Sequence, residues 1–112
     1  MALHQIMGAL GDPTRFAIVE TLLKEGEQSA GELAEPFNMS KPAISRHLKV
    51  LEQSGLIERR TKAQFRVFSI CVAGFGEIDD WMTQYRQFWN QSFDRLEAVL
   101  EKTKKNDGES NE

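Results

Sequence analysis

The feature that most constrains the fold is the amphipathic segment at residues 39–56, MSKPAISRHLKVLEQSGL. It predicts a helix over residues 40–54, in which Ile44, Leu48 and Leu51 lie on one stripe and face a core. Polar residues share the opposite face: Pro42, Ser45, Arg46, Lys49 and Gln53. The face that this helix presents to solvent is therefore partly basic, although the whole chain has a formal net charge of −3.

Length and composition limit the class of protein. With 112 residues, 40% hydrophobic and 28% charged, the chain predicts one globular domain at residues 1–104 and a disordered polar tail at 105–112. The sequence has no apolar run long enough to span a bilayer, and its first residues lack a signal-peptide pattern. We therefore expect a cytoplasmic protein without a membrane partner. The single cysteine, Cys71, suits a reducing compartment.

Charge is distributed unevenly along the chain. Residues 1–39 carry a net charge of −4, residues 40–66 carry +5, and residues 67–112 carry −4. A positive band on an acidic body is typical of a surface that binds a polyanion. A solvated charged face is the alternative explanation, so the interpretation depends on the structure that carries the band.

Helix signals precede the basic segment. Residues 2–10 predict a first helix. Asp12 followed by proline caps a second helix, which runs to about residue 24 and is expected to bury Phe16, Val19, Leu22 and Leu23. Ser29 and Glu32 form a capping box that opens a short third helix. Asn38 and Met39 predict a tight turn with a left-handed Asn38 before the fourth helix. Two short helices joined by such a turn are a helix-turn-helix.

Two strands and one long helix follow. Residues 56–61 and 65–70 predict a β-hairpin with residues 62–64 at its tip, and a hairpin after a helix-turn-helix is a wing. Residues 73–104 predict one helix, roughly 45 Å long, with more apolar surface than so small a body covers. A second copy of the chain is the simplest partner for that surface.

Three segments carry a resemblance to a known family: LGDPTRFAIVETLL, SAGELAEPFNMSKPAISRHLKVLEQSGLI and FRVFSI. In this order and spacing they resemble the ArsR-type (ArsR/SmtB) winged helix-turn-helix repressors, and YRQFWNQSFDRLEAVL resembles the last helix of the metal-free, autorepressor-like members. The resemblance implies a mainly α fold with a β-hairpin wing, in the order ααααββα, that dimerises through its first and last helices. It also implies a homodimeric repressor of double-stranded DNA at an inverted-repeat operator.

The resemblance assigns candidate DNA contacts. The fourth helix would enter the major groove with Ser40, Lys41, Pro42, Ser45, Arg46, His47 and Lys49. Among these, Arg46 suits bidentate contact to guanine, Lys49 suits a phosphate, and His47 is either a structural histidine or a phosphate contact. The wing would contribute Arg59, Arg60, Lys62, Gln64 and Arg66. The family commonly has Gly-Arg at the wing tip, whereas this chain has Ala63-Gln64, so Lys62 is the nearest substitute for a minor-groove arginine.

The predicted dimer interface draws on the first and last helices. Its candidate residues are Leu3, Ile6, Met7, Ile78, Met82, Tyr85, Trp89, Phe93 and Leu96. The aromatic residues of the last helix also fit a small-molecule inducer pocket, although a dimer core is the favoured interpretation.

Metal and enzyme chemistry find no support in the sequence. Metal-sensing members use a Cys-x-Cys motif on the third helix or Asp and His pairs on the last helix, and this chain has neither. We therefore predict no metal, no cofactor and no catalytic residues. Two alternatives stay open: an ArsR-type sensor of a small molecule or of Cys71 oxidation, and a winged helix used for protein–protein assembly. The second predicts an apolar or acidic outer face on the fourth helix, unlike the one found.

Overall fold

The computed structural model describes residues 2–110, with side chains described for residues 2–104. The elements in chain order are α1 (Leu3–Leu10), α2 (Pro13–Glu25), β1 (Gln28–Ser29), α3 (Ala30–Ala34), α4 (Lys41–Ser54), β2 (Ile57–Lys62), β3 (Phe65–Ile70) and α5 (Val72–Ser110). This order confirms the predicted winged helix-turn-helix and adds one short strand, β1. The chain forms two units, residues 1–78 and residues 79–112.

The predicted caps form because each uses only neighbouring residues. Asp12 Oδ2 accepts hydrogen bonds from the backbone N–H groups of Thr14 (2.9 Å) and Arg15 (3.0 Å) at the start of α2. Ser29 and Glu32 form the reciprocal capping box of α3. Gly55 ends α4 at φ 85°, a left-handed conformation that glycine adopts without steric cost. These local signals set the helix boundaries.

The connection between α3 and α4 differs from the prediction. Residues 35–40 separate the two helices, and Asn38 is not left-handed. Among the non-glycine residues that the structure describes, Ala63 alone has a positive φ, 57°. Ala63 lies in the wing turn, where the reversal of the chain requires that conformation.

The three strands form one antiparallel sheet in the order β1-β3-β2. Pairing of Lys62 with Phe65 leaves Ala63 and Gln64 as the turn, so Lys62 belongs to β2 and not to the predicted tip. The short β1 was not predicted, because two residues, Gln28 and Ser29, carry no periodicity of their own. It pairs with β3 beside Phe68 and Val67 and thereby ties the α2–α3 connection to the wing.

The core of residues 1–78 lies where α1, α2, α3 and α4 meet one face of the sheet. Ile44, Leu48 and Leu51 are buried in it, as their spacing predicts. Ile18 is fully buried, whereas Phe16 and Leu23 are exposed, contrary to the predicted helix face of α2. The remaining buried members of this cluster are Ile6, Ala9, Val19, Leu22, Leu33, Leu56, Ile57 and Phe68. The face of α2 was misjudged because its apolar residues extend around more than one stripe.

Gly74 marks a close backbone approach at the start of α5. A Cβ atom on this buried glycine would lie 2.2 Å from the carbonyl oxygen of Gly55. Nearby, the backbone N–H of Cys71 donates to the carbonyl of Leu56 at 2.9 Å. The absence of a side chain at Gly74 is therefore what lets the chain pass the end of α4.

In residues 79–112, α5 continues to Ser110, six residues past the predicted helix end at residue 104. No proline interrupts residues 105–110, so the helix can continue through polar sequence. The side chains of residues 105–110, and residues 111–112, lie outside the described residues, and the disorder expected for the tail at 105–112 stays a prediction. None of the helices in the described part of the chain is long and apolar enough to cross a membrane.

Candidate nucleic-acid interface

The outward face of α4 is polar, basic and accessible. Five of the predicted contact residues are exposed on this helix: Lys41, Pro42, Ser45, Arg46 and Lys49. Within residues 2–104, the charged groups of Lys41, Arg46 and Lys49 have no ion-pair partner. These cations are therefore available to an external anion.

Ser40 caps the helix and keeps a free donor. Its Oγ accepts a hydrogen bond from the backbone N–H of Ala43 at 3.3 Å. Since a hydroxyl is both donor and acceptor, its O–H can still donate to a phosphate at the positive end of α4.

His47 lies on the side of α4 that faces α2. Its Nδ1 is 3.4 Å from Arg15 Nη1 and 3.8 Å from Asp12 Oδ2, and the ring is mostly shielded from solvent. Of the two roles left open for His47, these contacts favour the structural one. Its inclusion among the DNA contacts stays a prediction.

Arg15, which the sequence did not single out, connects three helices. Its Nε donates to the carbonyl of Ala9 at 2.7 Å, at the end of α1, while its Nη1 approaches His47 on α4. The pKa of Asp12 lies below the ordinary 3.8. The largest cause is the hydrogen bond from the backbone N–H of Arg15, and the positive charge of the Arg15 guanidinium lowers the pKa as well. The only sequence signal for this role was the position of Arg15 in the first turn after a capping Asp-Pro. This cluster fixes the start of α2 against α1 and α4.

The wing divides its cations between two faces. The register pairs Arg59 with Phe68 and Thr61 with Arg66, so Arg59 and Arg66 share the sheet face of the buried Phe68. A recess of about 360 Å³ lies between this face and α4, and both arginines line it together with Lys49. Glu52 of α4 also lines the recess and pairs with Arg59 Nε at 3.4 Å. Arg66 and Lys49 thus remain unpaired among the described side chains.

Arg60 and Lys62 lie on the opposite sheet face. The carboxylate of Glu27 contacts the Arg60 guanidinium through one oxygen, and its other oxygen lies 3.7 Å from Lys62 Nζ. Glu27 had no sequence signal, because it is far in the chain from Arg60 and Lys62. Glu52 had none because it lies on a different element from Arg59. Gln64 is exposed in the wing turn, as predicted.

The candidate dimer residues separate into two groups. Ile6 is fully buried in the core of residues 1–78, so its assignment to an interface is wrong. Ile78 packs against that core and offers little free surface. Leu3 and Met7 are half-buried. The other five candidates lie within residues 79–104 and are exposed: Met82, Tyr85, Trp89, Phe93 and Leu96.

The potential metal-ligating side chains do not cluster in the described part of the chain. No three side chains of His, Cys, Asp or Glu there come together in a group that could hold a metal ion. Cys71 is half-buried and free of any disulfide.

Comparisons with known proteins agree with the helix-turn-helix geometry of the chain. A family model described as a helix-turn-helix domain matches residues 10–60. The chain is 39% identical over 83 residues to the transcriptional repressor SdpR of Bacillus subtilis, an alignment that covers 74% of this chain and 91% of that protein. It is 38% identical to the arsenical resistance operon repressor of Escherichia coli, over 86% of this chain and 80% of that protein.

A solved ArsR family transcriptional regulator superposes with a TM-score of 0.70 at 33% identity, covering 79% of this chain and 90% of that one. The relatives are regulators of transcription and not enzymes. In helix-turn-helix domains in general, the second helix of the motif enters the major groove of DNA. The chain therefore belongs to the ArsR family of helix-turn-helix DNA-binding transcriptional repressors.

Proposed function

We propose that the protein acts in the cytoplasm as a homodimeric repressor, that it binds an inverted-repeat operator, and that it does so without a metal. The observation that carries the DNA-binding part is a cationic surface without ion-pair partners among the described side chains, formed by Lys41, Arg46 and Lys49 on α4 and by Arg66 on the wing. The exposed apolar face of residues 79–104 supports the dimer.

Recognition of the DNA bases is assigned to α4. Arg46 lies on the face opposite Ile44, Leu48 and Leu51, one and a half turns from the helix start, and its guanidinium can donate two hydrogen bonds to a guanine edge. Ser45 and Lys41 flank it. The core side of the helix holds α4 in place, and the contacts of His47 with Arg15 and Asp12 restrict its rotation.

Phosphate binding is assigned to Lys49 and Arg66. Both line the recess between α4 and the wing, and neither has an anionic partner among the described side chains. Such contacts position a protein on DNA without reading its sequence. Arg59 contributes less charge, because Glu52 pairs with it.

Dimerisation follows from the exposed apolar side chains of α5. Trp89, Phe93 and Leu96 recur at helical spacing, and each is at least half exposed. The edge-to-face contact of Phe88 with Trp89 keeps the aromatic rings on one continuous surface. A two-fold pair that offers one recognition helix per protomer binds half-sites about 34–36 Å apart. A strictly monomeric species in light scattering at micromolar concentration would contradict the dimer.

The replacement of Arg46 by alanine tests the DNA-binding proposal. Genomic fragments selected by the purified protein first define the operator. On that operator Arg46→Ala is expected to cost about 1–3 kcal/mol, with random DNA almost unaffected, because a base contact is lost. Arg66→Ala is expected to weaken both duplexes alike and to lower the salt slope by about one, because a phosphate contact is lost.

Titration of each variant against operator and random duplex at two salt concentrations separates these roles. Lys24→Ala is the matched control, since it removes an exposed cation on α2 that pairs with Glu20 of the same helix. If Arg46→Ala weakened random DNA as much as operator DNA, Arg46 would not be the reading residue, and Lys41 would replace it.

Metal independence is tested separately. We expect operator binding to be unchanged by a chelator and by added zinc or cadmium, since no three donor side chains meet in the described residues. Fluorescence anisotropy of a labelled operator measures this directly. Release of DNA by sub-micromolar zinc, abolished by Cys71→Ser, would contradict the proposal.

A further inference from the structure

Glu27 holds two wing cations at once. It lies in the connection between α2 and β1, and the pairing of β1 with β3 fixes that connection beside the wing. One carboxylate oxygen contacts Arg60 Nη2, and the other lies 3.7 Å from Lys62 Nζ. The Glu27 side chain is 23% exposed, whereas those of Arg60 and Lys62 are 65% and 72% exposed.

These two ion pairs contribute too little to folding stability for stability to be their main effect. Ion pairs with exposed cations add little to folding stability, because water and salt screen them. Their larger consequence is electrostatic. A carboxylate presents two anionic oxygens, as a phosphate does, so a DNA phosphate that approaches Arg60 or Lys62 must compete with Glu27.

We propose that Glu27 is a specificity-determining residue that occupies Arg60 and Lys62 and so suppresses binding to random DNA. This inference rests on the proposed DNA-binding function. On an operator, base contacts from α4 fix the orientation of the protein, and Arg60 and Lys62 lie on the sheet face away from the recess beside α4. On random DNA no base contact fixes the orientation of the protein. Arg60 and Lys62, once released from Glu27, can therefore add phosphate contacts.

Glu27→Gln tests the inference, because it keeps the shape of the side chain and removes its charge. We expect the affinity for a random duplex to rise roughly three- to tenfold in 50 mM salt, and the salt slope to steepen by up to about two. The affinity for the operator should change less than about twofold, so the ratio of operator to random affinity falls. The melting temperature should stay within a few degrees of the unaltered protein.

Glu25→Gln is the matched control. It removes the same charge two positions earlier, at the exposed end of α2, where the described structure gives Glu25 no ion pair with the wing. It is expected to change the affinity for random DNA by less than about twofold, as a long-range effect of net charge alone. In the Arg60→Ala/Lys62→Ala background, Glu27→Gln is expected to have no more effect than this control.

The outcomes distinguish this inference from the proposed function. If the unaltered protein selects and binds no duplex, the proposed function fails. If it binds an operator but Glu27→Gln matches Glu25→Gln, weakens binding or markedly lowers the melting temperature, only the role of Glu27 is overturned. Persistence of the full effect without Arg60 and Lys62 overturns it as well.

Discussion

Gly74→Ala is expected to destabilise the protein by about 3 kcal/mol or more, because the new methyl group would overlap backbone atoms. The added Cβ would lie 2.2 Å from the carbonyl oxygen and 2.7 Å from the carbonyl carbon of Gly55. Gly55 cannot yield easily, since its left-handed conformation ends α4. For a domain of this size the melting temperature, measured by circular dichroism, should fall by roughly 12 °C or more.

Gly76→Ala is the matched control for this substitution. It lies two residues later in α5, where an added Cβ would meet nothing within 4 Å. Alanine favours a helix over glycine by about 1 kcal/mol, so this variant should be as stable as the unaltered protein or slightly more stable. Equal melting temperatures for the two variants would contradict the close approach of α5 to the end of α4.

Phe93→Glu is expected to convert the proposed dimer to monomers and to abolish tight operator binding. The Phe93 side chain is 58% exposed in the single chain and belongs to the apolar face proposed for dimerisation. Each dimer would bury two carboxylates without partners, and leaving a buried charge unpaired costs about 3–5 kcal/mol. Analytical ultracentrifugation measures the assembly state, and titration of the full operator measures the affinity, which should fall at least about a hundredfold.

Gln91→Glu controls for the added charge on the same helix. Residue 91 is two positions from residue 93 and so faces the opposite side of α5, where it is exposed. This variant should remain dimeric and bind the operator nearly as well as the unaltered protein. A dimeric Phe93→Glu variant would show that the apolar face of α5 is not the interface.

Much of the candidate interface could be predicted from the sequence. The stripe of Ile44, Leu48 and Leu51 determines which side of α4 is buried, so the exposure of Arg46 and Lys49 follows from helical periodicity alone. The shared face of Arg66, Phe68 and Ile70 likewise follows from the alternation of side chains along a strand. Both patterns are properties of the local backbone.

The availability of each wing cation could not be predicted in this way. Arg60 and Lys62 appeared equivalent to Arg66 in the sequence, yet Glu27 pairs with the first two. The position of Glu27 depends on the pairing of β1 with β3, which joins segments nearly forty residues apart. The assignment of Ile6 to the dimer interface failed for the same reason, because periodicity marks an apolar face without naming what covers it.

The sequence by itself determined the order of the helices and of the two wing strands, the helix caps and the basic outer face of α4. Capping by Asp12, Ser29 and Ser40 and termination at Gly55 act within a few residues, so no distant contact is needed to establish them. Only the tertiary structure decided that His47 faces Arg15, that Glu27 holds two wing cations and that Gly74 must lack a side chain. These features depend on distances between chain segments that meet only when the core forms, and packing of the buried side chains sets those distances.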